Sequence, residues 1–188
     1  MKNHHEPLLL RAETRRPRRP REAQELQRII SRILPRSTLR ILGNAVEITT
    51  FIKPTPEQLS QLQEVLGAKH IEVRKADNVL REEKDLFHLY YELLRENRFW
   101  EAHVVAEKIW RRGLSIGKQL AALAGAYAKA QEGLVDAALS IIDRVVESEE
   151  LRRVIDPLCL RRELINTYES GRGTPHKCLA IGLLLETR

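Results

Sequence analysis

The chain is poor in sulphur and in aromatic rings. Its 188 residues include two cysteines, one methionine, two tryptophans, three phenylalanines and four tyrosines. Cys159 and Cys178 form no CxxC pair and no four-ligand set, which excludes a zinc ribbon or a thioredoxin-type dithiol. They are expected as core thiols, or as a disulfide if the protein works at high temperature. No apolar run approaches the roughly 20 residues that span a bilayer. Leu8-Leu9-Leu10 is too short for the core of a secretion signal. It runs into an arginine-rich segment where a cleavage site would stand, so a cytoplasmic location is expected. Gly171-Arg172-Gly173 lacks the Gly-Lys-Ser/Thr ending of a phosphate loop, so no nucleotide cofactor is expected. No repeat of fixed period runs through the chain, which argues against a helical-repeat array.

Charge is what the chain has in quantity. Charged residues make up 31% of it, and 32 Lys+Arg stand against 26 Asp+Glu. That abundance, with so little methionine, tilts towards a thermophilic protein. Seven of the basic residues and three of the acidic ones fall within residues 1–24. Arg15-Arg16-Pro17-Arg18-Arg19-Pro20-Arg21 is the densest part. Proline and like-charge repulsion argue against local compaction there. Residues 1–21 therefore read as a basic tail, disordered alone or held by a partner. Guanidinium forks suit phosphate oxygens. Such an arm fits a nucleic-acid backbone, with Arg11, Arg15, Arg16, Arg18, Arg19 and Arg21 in contact. Arg28 and Arg32 extend that surface from the polar side of a helix over 22–34, whose buried side is Leu26, Ile29, Ile30 and Ile33.

Residues 22–75 read as a small α/β unit. Val46, Ile48, Thr50 and Ile52 alternate with Glu47, Thr49, Phe51 and Lys53, the period of a strand with one face buried. Gly43-Asn44 marks a hairpin with the strand before it. Thr55-Pro56-Glu57-Gln58 carries a capping box and opens a helix that Gly67 stops. Ile71 and Val73 mark a third strand. The expected arrangement is helix-ββαβ, a three-stranded sheet with its helices on one face. No aromatic pair lies on these strands to stack RNA bases.

Residues 82–188 read as an all-α bundle, giving an α+β protein overall. The stretch from Phe99 to Trp110 holds both tryptophans. On a helix, Ala102, Val105, Ala106 and Ile109 share one apolar face, while His103, Glu107 and Trp110 form a row beside it. Glu101 suits the positive end of the helix dipole. Gln119 on the next helix is expected to bond to Glu101 or His103. These five residues fit two uses. One is a polar network that locks helices together. The other is an acid/base site, with His103 as the acid/base, Glu107 orienting it and Glu101 beside them. His88/Glu92 and His103/Glu107 have the spacing of a two-metal bundle site. His88, however, falls on the polar side of its helix, so no metal is expected. Further on, Asp156-Pro157 opens a helix to about Ser170. Gly171-Arg172-Gly173 reads as a mobile loop, and residues 178–185 as a short apolar helix.

The sequence Arg98-Phe99-Trp100-Glu101-Ala102-His103, followed by Glu107, Trp110 and Gln119, resembles the signature of the prokaryotic domain-of-unknown-function family numbered 309. The resemblance covers about residues 85–149. It implies a small helical bundle and brings no activity with it. The acidic residue that family carries straight after its histidine is Val104 here. The expectation is therefore a non-enzymatic, RNA-associated and plausibly ribosome-associated protein that docks by its bundle. An enzyme built on His103, Glu107 and Glu101, and a protein–protein scaffold, are the alternatives.

Overall fold

The computed structural model describes residues 7–16, 18–75, 85–149, 151–152 and 154–180. It is an α+β protein: a four-stranded antiparallel sheet near the N-terminus, followed by a helical bundle.

The sheet corrects the reading of residues 1–21 as a tail. Leu8–Thr14 is a strand, β1. With β2 (Ser37–Ile41), β3 (Ala45–Thr50) and β4 (Ala68–Lys75) it forms a sheet of order β2-β3-β1-β4. The sheet therefore has four strands where three were expected, and β1 lies inside it, between β3 and β4. The registers Leu10↔Ile48 and Leu10↔Val73 place aliphatic residues in line across it. Residues 1–6 and Pro17 lie outside the described residues.

Two helices cover one face of this sheet. They are α1 (Ala23–Ile33) and α2 (Pro56–Leu66). The Thr55 hydroxyl accepts from the Gln58 N–H, and the Thr55 N–H donates to the Gln58 side-chain oxygen at 2.9 Å. Gly67 closes α2 at φ 62°, a left-handed conformation that glycine adopts without a side-chain clash. Leu10, Ala12, Leu26, Ile30, Leu39 and Ile48 share the resulting core.

The bundle has its own core. Its helices are α3 (Leu86–Arg95), α4 (Phe99–Arg111), α5 (Ile116–Gln131), α6 (Val135–Val146) and α7 (Pro157–Ser170). α5 packs against α4, α6 and α7, and its run of alanines suits a helix enclosed by others. Gly117 lets α5 cross α4 closely: a Cβ there would overlap the backbone of Trp110 and come within 2.8 Å of the Ala106 carbonyl oxygen. Cys159 and Cys178 are joined by a disulfide that ties α7 to the short turn Pro175–Cys178. Residues 181–188, where a terminal helix was expected, lie outside the described residues. No helix among the described residues is long and apolar enough to cross a membrane.

The loop Gly171-Arg172-Gly173, expected to be mobile, is docked instead. The Gln131 amide donates to the Gly171 carbonyl at 3.1 Å, and the Gly173 N–H donates to the Asn97 side chain at 2.7 Å. Gly171 lies against Gly43 and the end of β2 so closely that any Cβ would overlap backbone there. The loop is a hinge-pin between sheet and bundle.

Candidate functional site

The residues expected to act together on α4 are divided between two places. His103 and Glu107 do meet, Nε2 to Oε1 at 3.5 Å. The His103 Nδ1 lies 2.8 Å from the Ala121 carbonyl oxygen, over the space left by Gly125. A carbonyl only accepts, so Nδ1 carries the proton and Nε2 faces the carboxylate. The ring stacked on His103 is Trp100, at 5.3 Å, and not Trp110, which is 49% exposed. Gln119 is half-buried and bonds to neither Glu101 nor His103; the backbone of Ala121 takes the role expected of it.

Glu101 belongs to a different network. It points to the sheet, 3.6 Å from Arg40 of β2 and 3.5 Å from Arg98. Arg40 also lies 3.6 Å from Glu47 of β3, and Glu47 lies 3.5 Å from Arg11 of β1. The strand registers put Arg40, Glu47, Arg11 and Glu72 in one row across all four strands, on the face that α1 and α2 leave free. Over β2 and β3 the bundle covers this row, and Arg40 and Glu47 are each only 6% exposed. Over β1 and β4 it is open.

At that opening lies a cleft of about 510 Å³ between sheet and bundle. Arg11, Arg74, Arg95, Arg98 and Arg172 line it, opposed by Glu47 and Glu96, with Leu42 and Asn97 between them. Arg95 is held by Glu92 at 2.8 Å, and Arg98 by Glu96 and Glu101. Arg74 has no carboxylate partner among the described residues, and its Nε is buried without a hydrogen bond. Arg172 donates to the side-chain oxygen of Asn44 at 3.3 Å, a neutral partner. Asn97 adopts φ 59°, and its main chain and side chain bind both Gln131 and Gly173, fixing the floor of the cleft. A second cleft, of about 610 Å³, runs over Arg11, Arg15, Lys69 and His70 with Glu13 and Glu72.

The arginines named from the sequence divide as well. Arg11 is a strand residue paired with Glu47, and Arg18 is tied to Glu22 at 3.6 Å and to the Val65 carbonyl. Arg15, Arg16, Arg19, Arg21, Arg28 and Arg32 are exposed and form no ion pair among the described residues. Arg36, in the turn after α1, is a further exposed arginine that the sequence reading passed over.

Burial shifts titrating groups elsewhere. Burial pushes the Tyr90 and Tyr127 hydroxyls up, and they donate to the carbonyls of Leu120 and Leu160 at 2.9 and 2.7 Å. Burial, with Lys177 and Arg95 nearby, holds His176 below the usual imidazole range. Among the described residues no group of three His, Cys, Asp or Glu side chains is placed to hold a metal ion. Comparisons of the chain with protein-family models, with curated proteins and with solved structures found no match.

Proposed function

We propose that this is a non-enzymatic, RNA-associated cytoplasmic protein that grips the phosphate backbone with arginines of its N-terminal unit. The observation that carries the reading is the set Arg15, Arg16, Arg19, Arg21, Arg28 and Arg32, exposed and free of ion pairs among the described residues. Exposed guanidiniums without carboxylate partners have their forks available to phosphate oxygens, and each phosphate contact releases counterions. The arm is short and anchored. β1 fixes one end and α1 the other, so the arginines between them are presented from a folded base. The separation of Glu101 from His103 and Glu107 removes the three-residue acid/base set, which favours a binding role over a catalytic one. Recognition of this kind follows phosphate and shape and not base sequence.

The test is RNA binding by the full chain as a function of salt, beside a variant with those six arginines changed to Gln. The wild type should show log affinity falling linearly with log salt, with a slope of roughly 0.7 per single-strand phosphate contact. The variant should bind at least about tenfold more weakly and with a shallower slope. Equal affinity and slope in both proteins would overturn the reading.

A further inference from the structure

We propose that the cleft between the sheet and the bundle binds a phosphate monoester, held by Arg74 and Arg172. The site is separate from the exposed arginines Arg15, Arg16, Arg19, Arg21, Arg28 and Arg32 of the N-terminal unit. Of the five arginines on its walls, Arg11, Arg95 and Arg98 are engaged by Glu47, Glu92 and the Glu96/Glu101 pair. Arg74 and Arg172 have no carboxylate partner among the described residues. The Arg74 Nε is buried with no hydrogen bond among the described residues. A buried N–H without an acceptor is costly, and an entering anion that accepts from it removes the cost.

Two guanidiniums without carboxylate partners among the described residues, Arg74 half-buried and Arg172 exposed, favour a ligand with two negative charges. A lone carboxylate brings one. A phosphate monoester brings about −1.5 to −2 near pH 7, with three terminal oxygens that match two planar forks. The cleft volume of about 510 Å³ falls within the range of small-ligand sites, so the ester's organic body fits beside its phosphate. Leu42 offers that body an apolar wall, and the Asn97 turn offers a rigid floor. Both binding arginines are firmly based. Arg74 stands on β4, opposite Leu9 of the central strand β1. Arg172 stands on the loop pinned by Gln131 and Asn97. Little ordering of the protein is needed when the ligand enters.

The experiment is calorimetric titration of the full chain at fixed ionic strength with inorganic phosphate, a nucleoside 5′-monophosphate and the matching nucleoside. Phosphate and the monophosphate should bind and the nucleoside should not. Arg74→Gln and Arg172→Gln should each weaken the monophosphate by about tenfold, the value of a charge-assisted hydrogen bond. Arg74→Lys keeps the charge without the fork and should fall between, which separates a local loss from misfolding. The six-arginine variant that tests RNA binding should titrate like the wild type, so either reading can fail alone. Absence of binding in the wild type, or unchanged affinity in both Gln variants, would overturn the proposal. A second arm identifies the source of the ester. If short RNA with a 5′-phosphate outbinds its 5′-hydroxyl twin only when Arg74 and Arg172 are present, the ligand is an RNA end. If the twins bind equally while the mononucleotide binds, it is a free metabolite.

Discussion

Arg40 is the residue on which the contact between the two units turns. Its guanidinium lies between Glu47 and Glu101 at 3.6 Å each, with a further bond to the Thr49 hydroxyl at 3.3 Å. Moving ions out of water is expensive, and their mutual attraction only roughly offsets that cost. The cluster is therefore weak as a source of net stability and sensitive to the loss of one member. Arg40→Met removes the cation that Glu47 and Glu101 share, leaves them only their outer partners Arg11 and Arg98, and should cost up to about 3 kcal/mol in a denaturant titration. Arg40→Met combined with Glu47→Leu should be less damaging than the sum of the single changes, because the pair is removed together. Additive losses would mean that the two side chains do not interact. None of this was legible in the alternation of β3. That pattern placed Glu47 on the solvent side, and it does lie on the face opposite the aliphatic residues. The face is covered there by the start of α4, some fifty positions further along the chain, and a local period cannot report such a neighbour. His103 and Glu107, four residues apart on one helix, were legible for the opposite reason.

At the scale of elements, β1 is where the sequence misled most. Leu10 and Ala12 point into the core and Arg11 and Glu13 point out of it, a strand pattern. The arginine and proline cluster directly after it dominated the composition of the whole N-terminal stretch and drew the reading towards disorder. The helices were read more securely, since the Thr55 cap, Pro56 and the Gly67 stop are short-range signals. The position of β1 makes a consequence testable. It pairs with β3 on one side and β4 on the other, so its loss splits the sheet in two. A chain of residues 22–188 should lose much of the strand signal in circular dichroism and the protection of β4 amides from exchange, with β3 keeping only its β2 partner. It should keep the helical signal of the bundle, whose core is separate. A truncated chain with an intact sheet would show that β1 contributes nothing to the pairing.

The whole molecule consists of two cores joined through a polar seam. The aliphatic cluster of the sheet unit and that of the bundle share no members. Among the contacts that cross between them are the Arg40–Glu101 pair, the Gln24 bond to the Glu132 carbonyl at 2.7 Å, the Arg172 bond to Asn44, and the close approaches of Gly171 to Gly43 and of Gly133 to Pro20. The proposed monoester cleft opens along this same seam, so its geometry depends on the docking of one unit on the other. Gly171 is the sharpest probe of that docking. It holds φ 78°, and a Cβ would come within 2.7 Å of the Ile41 carbonyl oxygen and overlap the Gly43 backbone. Gly171→Ala meets both a left-handed backbone penalty and a backbone clash, together about 2–4 kcal/mol. Because the cores are separate, that loss should appear as uncoupling of the units and not as global collapse. Both tryptophans lie on α4, so their fluorescence follows the bundle, while amide exchange of β1 follows the sheet. In the wild type the two probes should report one transition with denaturant. In Gly171→Ala the β1 amides should exchange at lower denaturant than the tryptophan transition, and the monophosphate should bind more weakly. Coincident, unshifted transitions in the variant would mean that the seam at Gly171 does not couple the units, and that the remaining contacts, Arg40–Glu101 and Gln24–Glu132 among them, hold the cleft.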